Sequence, residues 1–369
     1  MSGIWSSAVT ITTRRGAEPT PQVLTNDDHE QVVIRQDRET GLRLIVAVHS
    51  TVLGPALGGL RLRRYPGGLR EALNDVLALA RTMTLKASAA GLDLGGGKAV
   101  MLDDGRDDLR EARLVAAAEV IDELGGAYIT AEDIGTTTAD IDLIAAHTRY
   151  AVGRSSESGG GGDPSPVTAE SVFQGIRRGL AIATGSDALE GRHVGVVGLG
   201  KVGSVLAAKL ADAGARVVAC DLEAERAERF ADEHGGVVAP SAEAILAKEL
   251  DVLAPCAAGG MIDEAIGRSI ECSVIAGAAN NPLTSREVAL LLHRRGVLYV
   301  PDFLANCGGL IHVSAEWYGE NGARARERVA AAMERLELAI EDAEEQDAPP
   351  IEIAERQALE RVEAAQAGA

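Results

Sequence analysis

The chain has 369 residues, a length that predicts about two domains. Hydrophobic residues make up 46% and charged residues 25%, a composition typical of folded globular proteins that excludes intrinsic disorder as the main state. Lys and Arg total 36 against 55 Asp and Glu, and the resulting net charge of -19 repels phosphates, so we expect neither a nucleic acid nor a membrane as a partner.

The first part of the chain predicts an alternation of strands and helices. Residues 31–49 alternate polar and β-branched residues, which predicts two strands joined by a turn at Thr40-Gly41. From Arg70 to about Lys86, apolar residues recur at helical spacing and predict an amphipathic helix. We then predict a glycine-rich loop over 91–97, a short strand from Lys98, a helix over 109–124 and a strand over 127–130.

A stretch rich in Gly, Ser and Pro, residues 153–166, predicts a domain boundary. It can be a plain flexible linker, but motifs on both sides favour a hinge. Beyond it, short apolar strands and helices alternate from residue 192 to residue 300, which predicts a parallel sheet covered on both faces. The remaining C-terminal part is predicted to be helical.

A glycine motif lies between the first strand and helix of this region. Gly198-Leu-Gly200-Lys201-Val202-Gly203 has the spacing that lets a backbone approach a pyrophosphate at a helix N-terminus. Asp221 ends the next strand, where an acid binds the ribose hydroxyls of NAD and repels the extra phosphate of NADP. An arginine nearby can reverse that choice, and the sequence offers Arg216 and Arg226.

The sequence therefore predicts an α/β protein of two domains with a cleft between them. The N-terminal α/β substrate domain covers residues 1–150, and residues 335–369 are expected to pack back on it. A Rossmann-type NAD-binding domain covers residues 151–334.

Two lysines and an aspartate are the candidate catalytic groups. Lys86 and Lys98 flank the predicted glycine loop, which can bring them together. Two neighbouring ammonium groups repel each other, which raises the free energy of the state in which both are charged. One lysine can therefore bind a carboxylate while the other loses its proton and becomes a base. Lys86 alone would more often be a surface residue. Asp133 is either a solvated loop acid or a reactive group, because Thr136–Thr138 can cap the next helix in its place.

Asparagines follow two predicted strands of the second domain. Asn280, Asn281 and Asn306 lie where ligands bind parallel sheets, and they can face a nicotinamide ring. A role in forming turns remains the alternative for each of them.

The remaining signals favour the cytoplasm. No run of 18 apolar residues occurs, and Met1 to Thr20 lacks the pattern of a signal peptide. The first 25 or so residues show no periodicity, so we expect them to be mobile. The four cysteines form no CxxC pair, which favours reduced thiols, and the seven histidines lack ligand spacing, so we expect no metal site.

Seven ordered motifs together resemble the glutamate/leucine/phenylalanine/valine dehydrogenase family, most closely its leucine, valine and phenylalanine branch. They are Leu53-Gly-Pro-Ala-Leu-Gly-Gly59, Met83-Thr-Leu-Lys86, Gly95-Gly-Gly-Lys98, Ala131-Glu-Asp-Ile-Gly135, Pro164-Ser-Pro-Val-Thr-Ala169, Gly198-Leu-Gly-Lys-Val-Gly203 and Ala278-Ala-Asn-Asn281. The likeness runs from about His29 to the C-terminal helices.

The resemblance implies NAD-dependent, reversible conversion of an L-amino acid to a 2-oxo acid and ammonia. It implies that Lys86 holds the substrate carboxylate beside Gly58 and Gly59, that Lys98 is the general base, and that Asp133 moves protons at the amino group. It implies cofactor contacts from Thr168, Asn280 and Asn281, in addition to the glycine motif.

The resemblance also implies an apolar side-chain pocket and a homo-oligomer. The pocket residues it implies are Leu57, Ala131, Leu310 and Val313. None of these residues is a Lys or Ser that could bind a second carboxylate, which argues against glutamate as the substrate. Ala131 favours valine, leucine or isoleucine as the substrate, and phenylalanine remains the alternative. An NAD-binding regulator without catalysis is the alternative from a different class.

Overall fold

The computed structural model describes residues 8–13, 28–257 and 259–368, and for residues 8–13 it describes the backbone. The chain divides into two units after Asp163. Unit 1 contains the described residues up to Asp163, Val313–Asn321, and the residues from Leu359 onward. Unit 2 contains Pro164–His312 and Gly322–Ala358.

Twelve strands are described in these residues: β1 Ala8–Thr13, β2 Gln31–Gln36, β3 Arg43–Ser50, β4 Ala56–Arg63, β5 Gly95–Leu102, β6 Tyr128–Glu132, β7 His193–Val197, β8 Arg216–Cys220, β9 Val237–Val238, β10 Val252–Pro255, β11 Val274–Ile275 and β12 Leu298–Tyr299. The α-helices described are α1 Gly68–Ala89, α2 Arg110–Glu123, α3 Thr138–Ala145, α4 Ser165–Thr184, α5 Lys201–Asp212, α6 Ala224–His234, α7 Ala242–Leu246, α8 Glu264–Ser269, α9 Arg286–Arg294, α10 Asp302–Ala305, α11 Gly308–Tyr318, α12 Gly322–Glu345 and α13 Pro350–Gly368.

Unit 1 is built on a six-stranded sheet of order β1-β2-β3-β5-β4-β6. Strand β5 pairs antiparallel with β3 and parallel with β4, and every one of its residues is buried. On one face α1 packs through Ala72, Val76 and Ala80, and on the other face α2 and α3 pack through residues such as Leu114 and Ile141. A strand buried on both faces must lack polar alternation, as the Gly-Gly-Gly-Lys-Ala-Val-Met-Leu sequence of β5 does.

Most predicted elements of unit 1 are confirmed, and two are corrected. Strand β4 was not predicted, because its neighbouring Gly and Pro residues indicate turns. Strand β5 begins at Gly95, so the predicted loop over 91–97 is wrong for its last three residues. The reason lies in packing: a Cβ on Gly96 would be 2.0 Å from the backbone nitrogen of Thr84, so the glycine lets α1 lie close to the sheet.

The N-terminal expectation is tested only in part. Residues 8–13 form strand β1, which pairs parallel with β2, so this segment does have regular structure. The other residues up to 27, to which the expectations of mobility and of a missing signal peptide also apply, lie outside the described residues.

Unit 2 contains the predicted Rossmann-type sheet. Its six strands are all parallel and have the order β12-β11-β10-β7-β8-β9. Strands β7, β8, β10, β11 and β12 all lie between residues 192 and 300, where the sequence predicts alternating strands and helices. The order reverses beside β7, at the point where ligands bind in doubly wound sheets.

The boundary between the units lies later than residue 150. Residues 153–163 belong to unit 1, where the backbone of Gly153 donates to Glu316 at 2.9 Å and that of Ser155 donates to Asp142 at 2.9 Å. The C-terminal segment 335–369 is divided as well. Its first part stays with unit 2, where Leu336 lies against α4, and Arg361 returns to unit 1 to pair with Asp93 at 2.7 Å. These contacts explain why the segment does not pack on unit 1 as a whole.

Within residues 8–13, 28–257 and 259–368, the helices are too short or too polar to cross a bilayer.

Candidate functional site

Strand register brings four candidate residues to one face of the unit 1 sheet. Leu57 of β4 pairs with Gly96 of β5. Two residues further along both strands, the same register places Gly59 beside Lys98. On the other side Gly59 pairs with Ala131 of β6. Because alternate residues of a strand share a face, Leu57, Gly59, Lys98 and Ala131 all lie on the face covered by α1.

Lys98 and Asp133 form a buried ion pair. The Lys98 Nζ lies 3.1 Å from Asp133 Oδ2, and Lys98 is 5% exposed. Burial lowers the pKa of Lys98 below its ordinary value, and the attraction of Asp133 offsets only part of this effect. Burial alone would raise the pKa of Asp133, but the two cations Lys98 and Arg61 outweigh it and lower that pKa. The pair thus combines an amine that loses its proton more readily than usual with a stable carboxylate.

The Asp133 backbone is fixed by the loop that follows β6. Its N–H donates to Thr136 Oγ1 at 2.9 Å, and the Thr136 hydroxyl lies 2.9 Å from the Leu60 carbonyl. Thr137 caps α3 in a reciprocal box with Asp140, so the predicted capping by the 136–138 threonines is confirmed. Asp133 therefore does not cap α3, and its carboxylate contacts Lys98 and Arg61 instead.

Lys86 and the two glycines of β4 belong to the elements next to this pair. Lys86 is half-buried in the last turn of α1, the helix that covers the Lys98 face. The Gly58 carbonyl accepts a hydrogen bond from the Tyr128 hydroxyl at 2.6 Å. A Cβ on Gly59 would be 2.7 Å from the Cβ of Asp133, so this glycine makes room for the Asp133 side chain.

The four predicted pocket residues fall into two groups. Leu57 is 1% exposed and Ala131 is 7% exposed, and both lie on the Lys98 face of unit 1. Leu310 and Val313 lie three residues apart on α11, but Leu310 belongs to unit 2 and Val313 to unit 1. The structure therefore brings Leu57 and Ala131 together with Lys98 within a single unit.

Sequence reasoning missed a chain of charges that continues from Asp133. Arg61 Nε lies 2.9 Å from Asp133 Oδ2, and Arg61 Nη1 lies 3.0 Å from Asp75 Oδ2. The Tyr65 hydroxyl donates to the same Asp75 oxygen at 2.6 Å. Arg61 is two residues beyond Gly59 on β4, so both residues lie on the same face of the sheet as Lys98. A prediction of β4 from the sequence would therefore have identified Arg61 as a neighbour of the Lys98–Asp133 pair.

Other titratable groups lie outside this pair. His49 Nδ1 is 2.8 Å from Thr84 Oγ1, and its ring contacts the edge of His29 at a centroid distance of 4.9 Å. Burial lowers the pKa of His49 to about 4 and raises the pKa of Cys256 to about 11. Among the described residues, no group of three His, Cys, Asp or Glu side chains is arranged to hold a metal ion.

The glycine motif of unit 2 forms an open helix N-terminus. Gly198 has a φ of +99°, and a Cβ there would be 2.8 Å from the backbone nitrogen of Ala257. Gly200 is the N-cap of α5 and has open space where a side chain would be, so the helix end can be approached closely. Lys201, Val202 and Gly203 form the first turn. This cradle fits the pyrophosphate of a dinucleotide.

Asp221 holds the cradle in place. Its Oδ2 accepts from the Leu199 backbone at 2.7 Å, and its Oδ1 accepts from the Glu223 backbone at 2.9 Å. Arg226 lies 3.6 Å from Asp221 and 2.8 Å from Glu223, so both acids neutralise its charge. Arg216 is the first residue of β8, and Asp221 comes directly after its last residue, so the two lie at opposite ends of this strand. Arg216 is therefore excluded as a contact for the 2′-phosphate of NADP.

The asparagines meet at the carboxyl edge of the unit 2 sheet. Asn306 is 4% exposed, and its Nδ2 donates to Asn280 Oδ1 at 3.0 Å and to the Ala278 carbonyl at 3.1 Å. Its Oδ1 is buried and accepts no hydrogen bond from the described residues. Such an oxygen fits a carboxamide N–H donor of the kind that nicotinamide carries.

Asn281 and Thr168 have local partners. Asn281 adopts a φ of +49°, and its N–H donates to Asp302 Oδ2 at 2.7 Å. Thr168, in the first turns of α4, donates its hydroxyl to the Pro164 carbonyl at 2.9 Å. Both residues belong to unit 2, as the glycine motif does.

Two family models match this chain. Residues 29–150 match the dimerisation domain of Glu/Leu/Phe/Val dehydrogenases, and residues 221–368 match the Glutamate/Leucine/Phenylalanine/Valine dehydrogenase model. The chain belongs to this family. The expected membership is thereby confirmed, and the chain is an NAD(P)-dependent amino-acid dehydrogenase, an oxidoreductase.

Named relatives lie in the same branch. The chain is 43% identical over 336 residues to leucine dehydrogenase of Geobacillus stearothermophilus, covering 91% of each chain. It is 42% identical to valine dehydrogenase of Streptomyces virginiae, over 90% of this chain and 94% of that one. Among solved structures it resembles L-tryptophan dehydrogenase from Nostoc punctiforme, with a TM-score of 0.80 and 33% identity over 92% of this chain and 97% of that one.

Proposed function

We propose that this protein is a branched-chain amino-acid dehydrogenase that converts L-leucine, L-valine or L-isoleucine to the 2-oxo acid and ammonia with NAD. The buried Lys98–Asp133 pair carries the proposal, because it supplies the base and the proton acceptor that oxidative deamination requires. The leucine and valine dehydrogenases it resembles support the substrate class.

The first step is to make the substrate amine neutral, because an ammonium group cannot stabilise the cation that forms as hydride leaves. Asp133 would accept this proton, because its carboxylate is ionised and lies beside Lys98. Its lowered pKa makes it a weak base, so it gives the proton up again readily. Lys86 would hold the substrate carboxylate by charge, with Gly58 and Gly59 beside it. Bound NAD supplies the hydride acceptor.

The second step is hydrolysis of the imine to the 2-oxo acid. Lys98 would remove a proton from the attacking water, which requires the neutral amine that burial favours. Asp133 then returns its proton to the carbinolamine nitrogen, and the C–N bond breaks to release ammonia. The hydroxyl proton passes to solvent water as the carbonyl forms, and Lys98 regains its neutral form by giving its proton to solvent. Each oxidation thus consumes one NAD and one water and yields one NADH.

NAD is favoured over NADP by the charges around the cradle of unit 2. The Asp221 carboxylate would accept hydrogen bonds from the ribose hydroxyls and repel a 2′-phosphate. Arg226 could attract that phosphate, but its charge is already shared by Asp221 and Glu223. Thr168, Asn280, Asn281 and the orphaned oxygen of Asn306 would contact the nicotinamide end.

The apolar side chains of Leu57 and Ala131, both on the Lys98 face of unit 1, support an aliphatic side chain on the substrate. The family resemblance also assigns Leu310 and Val313 to the substrate side chain. Ala131 lies on the Lys98 face, so its methyl group would limit the size of the substrate. A homo-oligomer also belongs to the proposal, because the model matched by residues 29–150 describes a dimerisation domain. Light scattering of the purified protein measures its mass directly.

The deciding assay compares NADH formation from L-leucine, L-valine, L-isoleucine, L-phenylalanine and L-tryptophan. We expect the three branched-chain substrates to have the highest kcat/KM, within about tenfold of each other, because one methylene gives little discrimination. A preference for an aromatic substrate would contradict the aliphatic pocket, and no NADH from any amino acid would contradict the proposal as a whole.

A further inference from the structure

We propose that Arg61 and Asp75 are positioning residues: Arg61 holds one oxygen of the Asp133 carboxylate and Asp75 holds Arg61, which leaves the other Asp133 oxygen for the substrate amine. The inference deepens the proposed function and rests on it. Neither residue would touch the substrate, so each acts through Asp133 and Lys98.

The first support is that Lys98 and Arg61 both contact the same oxygen of the Asp133 carboxylate. Asp133 Oδ2 is 3.1 Å from Lys98 Nζ and 2.9 Å from Arg61 Nε. The described contacts of Lys98 and Arg61 with this carboxylate both go to Oδ2 rather than Oδ1. A carboxylate clamped at one oxygen cannot rotate freely, so Oδ1 is held ready to exchange a proton.

The second support is the way Arg61 itself is held. Its Nη1 lies 3.0 Å from Asp75 Oδ2 on α1, and the Tyr65 hydroxyl donates to that oxygen at 2.6 Å. Arg61 is also largely buried, with a side chain 12% exposed. A planar guanidinium held at two edges, from strand and helix, has little freedom to move away from Asp133.

The third support is electrostatic. The charged groups that act on Lys98 from the surrounding elements are Arg61 of β4, Asp75 of α1 and Asp133 in the loop after β6. Lys86 of α1, His49 of β3 and Tyr128 of β6 are among the other titratable groups on these elements. Arg61 repels the ammonium form of Lys98, whereas Asp75 and Asp133 attract it. Lys98 Nζ and Arg61 Nε both contact Asp133 Oδ2, at 3.1 Å and 2.9 Å, so the two nitrogens lie close together. Their repulsion is therefore strong in a buried site.

These opposite effects make a test that loss of structure alone cannot imitate. Arg61→Gln removes a positive charge, so the pH at which Lys98 loses half of its protons should rise. Asp75→Asn removes a negative charge at nearly constant size, so the same midpoint should fall. Arg61→Lys keeps the charge and should stay near the wild-type midpoint. We expect each shift to be at least about half a pH unit.

Two readouts apply to the full-length protein. The chain has only five lysines, so trace acetylation with acetic anhydride at a series of pH values can follow the Lys98 peptide by mass spectrometry. The midpoint of labelling reports deprotonation even where burial slows the reaction. The pH dependence of kcat/KM for L-leucine oxidation should shift in the same directions, and Arg61→Gln should lower kcat more than it raises KM.

The matched control is Arg64→Gln. Arg64 follows directly after β4, pairs with Asp103 at 3.4 Å and has a side chain 72% exposed, so its loss removes the same charge away from the pair. Its Lys98 midpoint should equal that of the wild type.

The outcomes separate the two proposals. Wild-type activity together with midpoints that do not move, or that move in the same direction in Arg61→Gln and Asp75→Asn, overturns this inference alone. A failure of Arg61→Lys to restore the midpoint does so as well. A wild-type protein that oxidises no amino acid overturns the proposed function, and the labelling midpoints then still test the coupling.

Discussion

Gly59→Ala tests whether the position of Asp133 controls turnover. The new Cβ would lie 2.7 Å from the Asp133 Cβ and 2.8 Å from the Glu132 carbonyl oxygen. Carbon atoms pack at about 3.5–4.0 Å, so Asp133 must move by about 1 Å. The contacting atoms are a Cβ and a backbone oxygen, which cannot swing aside as the tip of a long side chain can.

Such overpacking should lower the free energy of unfolding by about 1–3 kcal/mol. It should also lower kcat for L-leucine oxidation about a hundredfold, since misplacing a reactive group by about 1 Å has that effect. Urea unfolding and steady-state NADH formation measure the two quantities.

Gly175→Ala is the control. Gly175 lies inside α4, and a Cβ there would be 3.6 Å from Leu336, an ordinary contact. Replacing a helical glycine by alanine should stabilise unit 2 by about 0.5–1 kcal/mol and leave kcat unchanged. A Gly59→Ala protein with wild-type kcat would refute the reasoning, because Asp133 would then not need its observed position.

Three further predictions concern cofactor choice, substrate size and acid stability. Asp221→Asn keeps an acceptor for Leu199 but loses the charge, so the kcat/KM ratio of NADP to NAD should rise about tenfold or more; an unchanged ratio would show that Asp221 does not select the cofactor. Ala131→Gly should raise the kcat/KM of phenylalanine relative to leucine about tenfold, and a constant ratio would remove Ala131 from the pocket. The pKa of His49 is about 4 in the folded protein against 6.5 ordinarily, so the unfolded chain binds more protons between these values and stability falls as pH drops from 6.5 to 4. His49→Gln should lose less unfolding free energy over that range, and equal losses in urea unfolding would contradict the assignment.

The local patterns of unit 2 were predictable because strand, glycine turn, helix and acid follow one another within about 30 residues. Gly198, Gly200 and Asp221 therefore fall where the sequence predicts them, on a parallel sheet whose order reverses beside β7. The sequence could not show that Asp221 also binds the backbone of Leu199, because that contact depends on loop conformation.

Unit 1 was less predictable because its site depends on strand register. The glycines before Lys98 indicated a loop, whereas Gly96 is buried in β5 against Thr84. Since β4 was not predicted, nothing in the sequence linked Arg61 to Asp133. Residues distant in sequence meet there through sheet pairing, which periodicity alone does not reveal.

The central claim is that Lys98 acts as a neutral base beside Asp133, and Lys98→Ala tests it most directly. We expect kcat for L-leucine oxidation to fall at least about a thousandfold and to recover in part when a small primary amine such as methylamine is added, with more recovery at higher pH. A Lys98→Ala protein that oxidises L-leucine at the wild-type rate without added amine would contradict the claim.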